Sequence, residues 1–213
     1  MRTHPVFLRL EGRRCVIVGG DPPALAQARA CLAAGGAVVV VAASVAADLA
    51  GRVEHVARAY RPGDLAGAFL AYASTRDPAV IHALVAEAAA ERVLLNVIDV
   101  PDACTFLSPA VVTRGDLRIA VGTGGASPTL AAELRRTLEG QVGPEYGPFV
   151  AILGAVRRTL AGEPARADVV AALARSPLLD LVRAGRRAEI DRLLADVAGV
   201  TLARLGVELE EVA

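Results

Sequence analysis

The chain alternates short apolar runs with stretches of helical spacing. Arg14–Val18 is an apolar, β-branched run that leads into Gly19-Gly20, and it predicts a strand. Pro22 and Pro23 follow, then an Ala-rich stretch from Ala24 to Ala34. Proline suits a first helical position, because its missing N–H would lack a partner there anyway. Gly35-Gly36 stops that helix, and Ala37–Val41 is a second apolar run. It shows no alternation, as expected of a parallel strand covered on both faces. Val53–Ala59 and Ala68–Ala73 predict a third and fourth strand, the latter ending at Ser74-Thr75. Asp77–Glu91 has helical spacing (Val80, Leu84, Ala88), and Val93–Ile98 predicts a fifth strand. This alternation predicts an α/β fold: an open parallel sheet with helices on both faces.

The character changes after Asp99. Ser108–Thr113 and Leu117–Gly122 are β-rich runs joined by Arg114-Gly115-Asp116, which reads as a hairpin. Ser127 then suits an N-cap and Pro128 a first helical residue, with a helix over 129–139 whose Leu130, Leu134 and Leu138 share one face. Residues 140–148 hold three Gly and two Pro and read as a linker. Residues 149–213 read as helical, with breaks near Gly162-Glu163-Pro164, Ser176-Pro177 and Gly199.

Composition narrows the class. The 213 residues are 54% hydrophobic and 22% charged, which is a globular balance. Basic and acidic residues number 23 each, so the basic excess of a nucleic-acid binder is missing. Every basic residue is Arg, which excludes a Schiff-base lysine, a Walker A lysine or a lysine general base. Cys15, Cys31 and Cys104 are scattered, and His4, His55 and His82 lie far apart, so no metal site is expected. No apolar stretch approaches the ~20 residues of a membrane helix, and the opening Met1–Pro5 lacks a signal-peptide core. A cytoplasmic protein is expected.

Three segments are candidates for chemistry. Gly19-Gly20-Asp21-Pro22-Pro23-Ala24 follows a strand and opens a helix, as a dinucleotide fingerprint does. Gly19 and Ala24 match its first and third positions, while Asp21 puts a carboxylate at the second. The second strand ends Val41-Ala42-Ala43-Ser44 without a ribose-binding acid; Ser44 is either a ribose donor or a helix N-cap. Asp99 should lie at the carboxyl end of a central strand, the edge at which open α/β sheets bind ligands. It is either a general base or an ordinary turn residue before Val100-Pro101. Gly122-Thr123-Gly124-Gly125-Ala126-Ser127-Pro128 is a Gly-rich helix entry, either an anion cradle or a plain cap.

Together these pieces resemble the precorrin-2 dehydrogenase and sirohydrochlorin ferrochelatase family, which includes the N-terminal module of siroheme synthase. The resemblance rests on the run from His4 to Gly20, on Asn96-Val97-Ile98-Asp99 with Thr105-Phe106 and Pro109, and on Arg114-Gly115-Asp116-Leu117 leading to Gly124–Pro128 and Leu130-Ala131. It implies a Rossmann-like NAD-binding domain over 1–112, a dimerisation segment over 113–147 and a helical domain over 148–213. It also implies NAD-dependent oxidation of precorrin-2 to sirohydrochlorin, with Fe²⁺ insertion in some members, by a homodimer. Asp99 matches the family's essential acid. The cofactor residues map to Gly19, Gly20, Asp21, Pro22, Pro23, Ala43, Ser44 and Thr75. Substrate-facing positions map to Asn96, Arg114, Thr123, Gly124, Gly125 and Ser127, with Arg118 a further cation for a polycarboxylate. Thr123 matches a Ser that is phosphorylated in some members. The family carries Gly where this chain has Asp21 and a basic pair where it has Ala26-Gln27. A carboxylate gained there costs pyrophosphate binding ~1–3 kcal/mol. The alternative is therefore a tetrapyrrole-binding relative with a degenerate NAD loop.

Overall fold

The computed structural model describes residues 2–209. The chain forms two compact units: one comprises the chain up to Ser108 with Gly124–Ala126, the other Pro109–Thr123 and the chain from Ser127 onward.

The first unit holds a five-stranded sheet, β1 (Arg14–Val18), β2 (Ala37–Val41), β3 (Glu54–Val56), β4 (Leu70–Ala73) and β5 (Leu94–Val97). All pairings are parallel, in the order β3-β2-β1-β4-β5. Successive strand residues point to opposite faces, so each strand feeds two cores. Cys15, Ile17, Val38, Val40, Leu70 and Tyr72 pack under α1 (Pro22–Ala33), against Ala24, Leu25, Ala28 and Cys31. Val16, Val18, Val39, Val41, Ala71, Ala73, Leu95 and Val97 pack under α2 (Pro78–Glu91), against Leu84 and Ala88. This is why β1, β2 and β4 read as apolar runs, with both faces covered, whereas the edge strand β3 (Glu54-His55-Val56) is polar and largely exposed.

The third strand is shorter than the expected Val53–Ala59. The N–H of Arg58 turns back to the carbonyl of Val56 at 2.8 Å, and the Arg58 guanidinium binds both oxygens of Asp64 at 2.7 and 2.6 Å. These bonds pull the chain off the sheet edge. Past β5, the chain folds back along it. Thr105 N–H donates to the Leu95 carbonyl at 2.8 Å, Leu95 N–H donates to Thr105 Oγ1 at 2.8 Å, and the Asn96 amide donates to the Phe106 carbonyl at 2.9 Å. Phe106 then stacks edge-on against Tyr72, ring centroids 5.3 Å apart.

The second unit opens with the hairpin β6 (Ala110–Arg114) and β7 (Leu117–Val121), turned by Gly115 at φ 56°. Next is α3 (Pro128–Gln141), capped by the Ser127 hydroxyl, which accepts from Leu130 N–H at 3.1 Å. The expected linker over 140–148 shrinks to residues 142–145. Gly140 and Gln141 finish α3, and α4 (Tyr146–Thr159) already contains Gly147 and Pro148. Pro148 sits in the first turn of α4, where the N–H it lacks would have no intrahelical partner. Helices α5 (Arg166–Arg175), α6 (Leu178–Arg183), α7 (Arg187–Ala198) and α8 (Leu202–Leu205) complete a small bundle around Ile152, Val156, Leu173, Leu178, Ile190, Leu194 and Leu202. The break between α6 and α7, at Ala184–Arg186 with Gly185 at φ 64°, was not among the expected ones.

Candidate active site at the carboxyl edge of the sheet

The strand order reverses between β1 and β4, which opens a crevice at the carboxyl ends of those strands. The glycine turn sits at this crevice. A Cβ on Gly20 would lie 2.7 Å from the Ser44 carbonyl oxygen, and one on Gly19 would lie 3.0 Å from the Ser74 carbonyl oxygen. Gly19 also adopts φ 118°, which side chains resist. The two glycines thus let the loops after β1, β2 and β4 meet closely. Ala43 and Ser44 are exposed beside them, and Thr75 is half-buried, its hydroxyl accepting from Asp77 N–H at 3.2 Å. No helix follows Ser44, so its N-cap reading is set aside: the chain passes instead through turns over residues 47–52.

Asp21 has a defined task. Its carboxylate caps α1, accepting from Ala24 N–H at 3.1 Å, and its other oxygen accepts from the Ser74 hydroxyl at 2.6 Å. Pro22 and Pro23 occupy the first two helical positions and have no N–H to give. In the sequence Asp21 reads as a charge in the fingerprint and not as a cap; the Asp-Pro-Pro order is the local signal for the cap, and the Ser74 partner, 53 residues away, has none.

Asp99 follows β5 at the same edge of the sheet. It adopts φ 63°, a left-handed conformation that Asp tolerates better than most residues. Its carboxylate is exposed and lies 3.5 Å from Arg76, which follows β4 and carried no signal in the sequence. Asn96, the residue before the last of β5, is only 8% exposed and spends its amide on Phe106. The thiol of Cys104 is pushed up by burial and bonds to the carbonyls of Val97 and Val100, which fixes the turn that carries Asp99.

The other expected substrate positions fall in different surroundings. In the first unit, Gly124 and Gly125 take φ 62° and 82°, and a Cβ on Gly125 would touch Leu107 at 3.6 Å. In the second, the Thr123 hydroxyl donates to the Ser127 carbonyl and accepts from the Ser127 N–H, both at 3.1 Å. Arg114 donates to the carbonyls of Val142, Thr113 and Glu139 at 2.9–3.0 Å, so its guanidinium is committed to the backbone. Arg118 is exposed and bonds to the carbonyls of Gly115 and Leu117.

Comparison with known proteins fits this geometry. An NAD(P)-binding family model matches residues 6–110, and a model of the central part of sirohaem biosynthesis proteins matches residues 114–141. The siroheme synthase of Chromobacterium violaceum is 36% identical over 92% of this chain and 44% of its own length. That of Stutzerimonas stutzeri is 36% identical over 97% of this chain and 46% of its own length. The chain belongs to the family of the siroheme synthase N-terminal module. It spans less than half the length of these siroheme synthases. A solved structure titled SirC, precorrin-2 dehydrogenase, shares the fold with a TM-score of 0.74 at 22% identity, covering 93% of this chain and 100% of that one.

The matched NAD(P)-binding model covers this glycine turn, where Gly19 and Gly20 carry no side chain but Asp21 extends its carboxylate to Ser74. The anchoring differs from a standard fingerprint. The first two helical positions of α1 lack N–H groups, and the third N–H is bound to Asp21.

Proposed function

We propose that the protein oxidises precorrin-2 to sirohydrochlorin with NAD⁺ as the acceptor. The observation that carries this reading is Asp99, exposed at the carboxyl end of β5 on the sheet edge that also bears the glycine turn. Gly19, Gly20, Ala43, Ser44 and Thr75 are the residues that would hold the dinucleotide, which when bound supplies the hydride acceptor. The oxidation removes a hydride and a proton from neighbouring atoms and leaves a new double bond. Asp99 receives that proton and, being open to water, releases it to solvent. Its left-handed backbone directs the carboxylate from a turn fixed by Cys104, so the base does not depend on a mobile loop. The left-handed turn of Gly124-Gly125, open to glycine alone without strain, is the backbone we assign to substrate carboxylates.

Further parts of this reading are finer. Residues 1–112 serve as the dinucleotide-binding domain, 113–147 as the dimerisation segment and 148–213 as the helical domain. The partner is a second copy of the chain, seated on the apolar surface formed by Val111 of β6 and Leu130 and Leu134 of α3, all exposed. Fe²⁺ is a second substrate: its insertion expels two pyrrole protons, which the exposed Asp99 carboxylate takes one at a time, passing each to solvent. The setting is the cytoplasm; no helix among the described residues is long and apolar enough to cross a membrane. The committed Asp21 carboxylate favours one second reading, a tetrapyrrole-binding protein that takes no dinucleotide.

Asp99→Asn tests the proposal. Asn tolerates the left-handed φ as well as Asp does, so the fold should melt unchanged. Loss of the base should lower kcat for precorrin-2 oxidation by about 100-fold or more. Full activity would remove Asp99 from the mechanism. Calorimetry with NAD⁺ separates the two readings, because the second requires the wild-type protein to be silent.

A further inference from the structure

We infer that Asp21 and Ser74 form a clasp across the crevice, and that this clasp, by occupying the phosphate position, sets the affinity for dinucleotide. The inference rests on the dinucleotide reading above and deepens it.

The argument starts from donors. An α-helix facing a crevice attracts anions through its first free N–H groups. In α1 two of these are chemically absent, at Pro22 and Pro23. The third, on Ala24, is 3.1 Å from Asp21 Oδ1. The next, on Leu25, already bonds to the Asp21 carbonyl at 3.0 Å. The helix end is therefore satisfied by the chain's own anion.

The second oxygen of Asp21 takes the inference further. The Ser74 hydroxyl donates to Oδ2 at 2.6 Å. Asp21 follows β1 and Ser74 follows β4, the two strands that flank the switch point. The bond thus bridges the crevice mouth where a pyrophosphate lies in open α/β sheets. A pyrophosphate must displace the carboxylate from Ala24 and Ser74, or bind beside it against charge repulsion. Arg76, the cation nearest in the chain, pairs with Asp99 at 3.5 Å.

Calorimetry with NAD⁺ on wild type, Asp21→Asn and Ser74→Ala tests this, at low and high ionic strength. Asn is as good an N-cap as Asp, so Asp21→Asn keeps the cap of α1 and removes the charge, while its amide NH2, in place of Oδ2, can only donate to the Ser74 hydroxyl. It should bind NAD⁺ about tenfold more tightly than wild type, which is about 1.4 kcal/mol. Ser74→Ala opens the clasp but keeps the charge, and should gain only about two- to threefold. The advantage of Asp21→Asn should shrink as salt screens the repulsion, a response that a purely structural cap would not give. Binding by Asp21→Asn alone, with wild type silent, would also bear the clasp out. Asp21→Asn binding no tighter than a wild type that does bind would overturn the clasp and leave the dinucleotide reading standing. Silence in both proteins would sink both. Asp21→Gly provides a second uncharged variant should the Asn protein fold poorly, with far-UV circular dichroism as the check.

Discussion

Replacing Asn96 with Leu separates a structural role from a ligand-binding one at a residue the family resemblance assigns to substrate. Asn96 is 8% exposed, and its amide donates to the Phe106 carbonyl at 2.9 Å. Leu has nearly the same shape but no donor. The Phe106 carbonyl then loses its partner at the seam where residues 104–106 fold back onto β5. An orphaned buried acceptor costs ~1–3 kcal/mol, and the extra apolar burial of Leu returns part of this. A net loss of about 1–2 kcal/mol is expected. For a chain of this length that lowers Tm by about 2–8 °C. The protein has no Trp, so the melt is best followed by far-UV circular dichroism. Hydrogen exchange adds a local signature: the Thr105 amide, bonded to the Leu95 carbonyl at 2.8 Å, should exchange faster. A variant that keeps its Tm within about 1 °C and its Thr105 protection, yet loses turnover, would refute the reasoning. The amide would then serve a bound ligand.

Other consequences follow from the same structure. The Arg58 guanidinium and the Arg61 N–H hold the Asp64 carboxyl below the usual carboxylate range. A depressed folded pKa adds stability above the unfolded value, about pH 4, and that stability is lost as pH falls through the folded value. Asp64→Asn should therefore unfold at lower urea than wild type at pH 7, with the gap closing in acid; a gap that persists at about pH 2 would contradict the linkage. Ser127→Ala removes the cap of α3 and should cost about 1 kcal/mol in denaturant titrations, with little effect on NAD⁺ affinity. Leu130→Glu with Leu134→Glu places two charges on the apolar surface proposed for the second copy, and sedimentation velocity should shift from dimer to monomer. An unchanged sedimentation coefficient would place the partner elsewhere.

The sequence by itself determined the layered α/β architecture. Apolar runs such as Ala37–Val41, without alternation, fit strands buried on both faces, and Pro22 and Pro128 suit the first positions of the helices they open. It also placed Asp99 at a strand's carboxyl end and Asp21 in the glycine turn, because both follow from local order along the chain. Other features needed contacts between distant segments. Whether Asp21 is a misplaced charge or a satisfied one depends on Ser74, which only strand pairing brings within 2.6 Å. Arg114 reads as a free cation in the sequence, but three backbone carbonyls, two of them more than 20 residues away, claim its guanidinium. Arg76 meets Asp99 for a similar reason: β4 and β5 are neighbours, and their ends arrive together. Local propensity and periodicity decide which element a residue joins. What a polar side chain does is decided by the partners that folding brings to it, since a buried donor or acceptor must be paired wherever the chain happens to supply the other half.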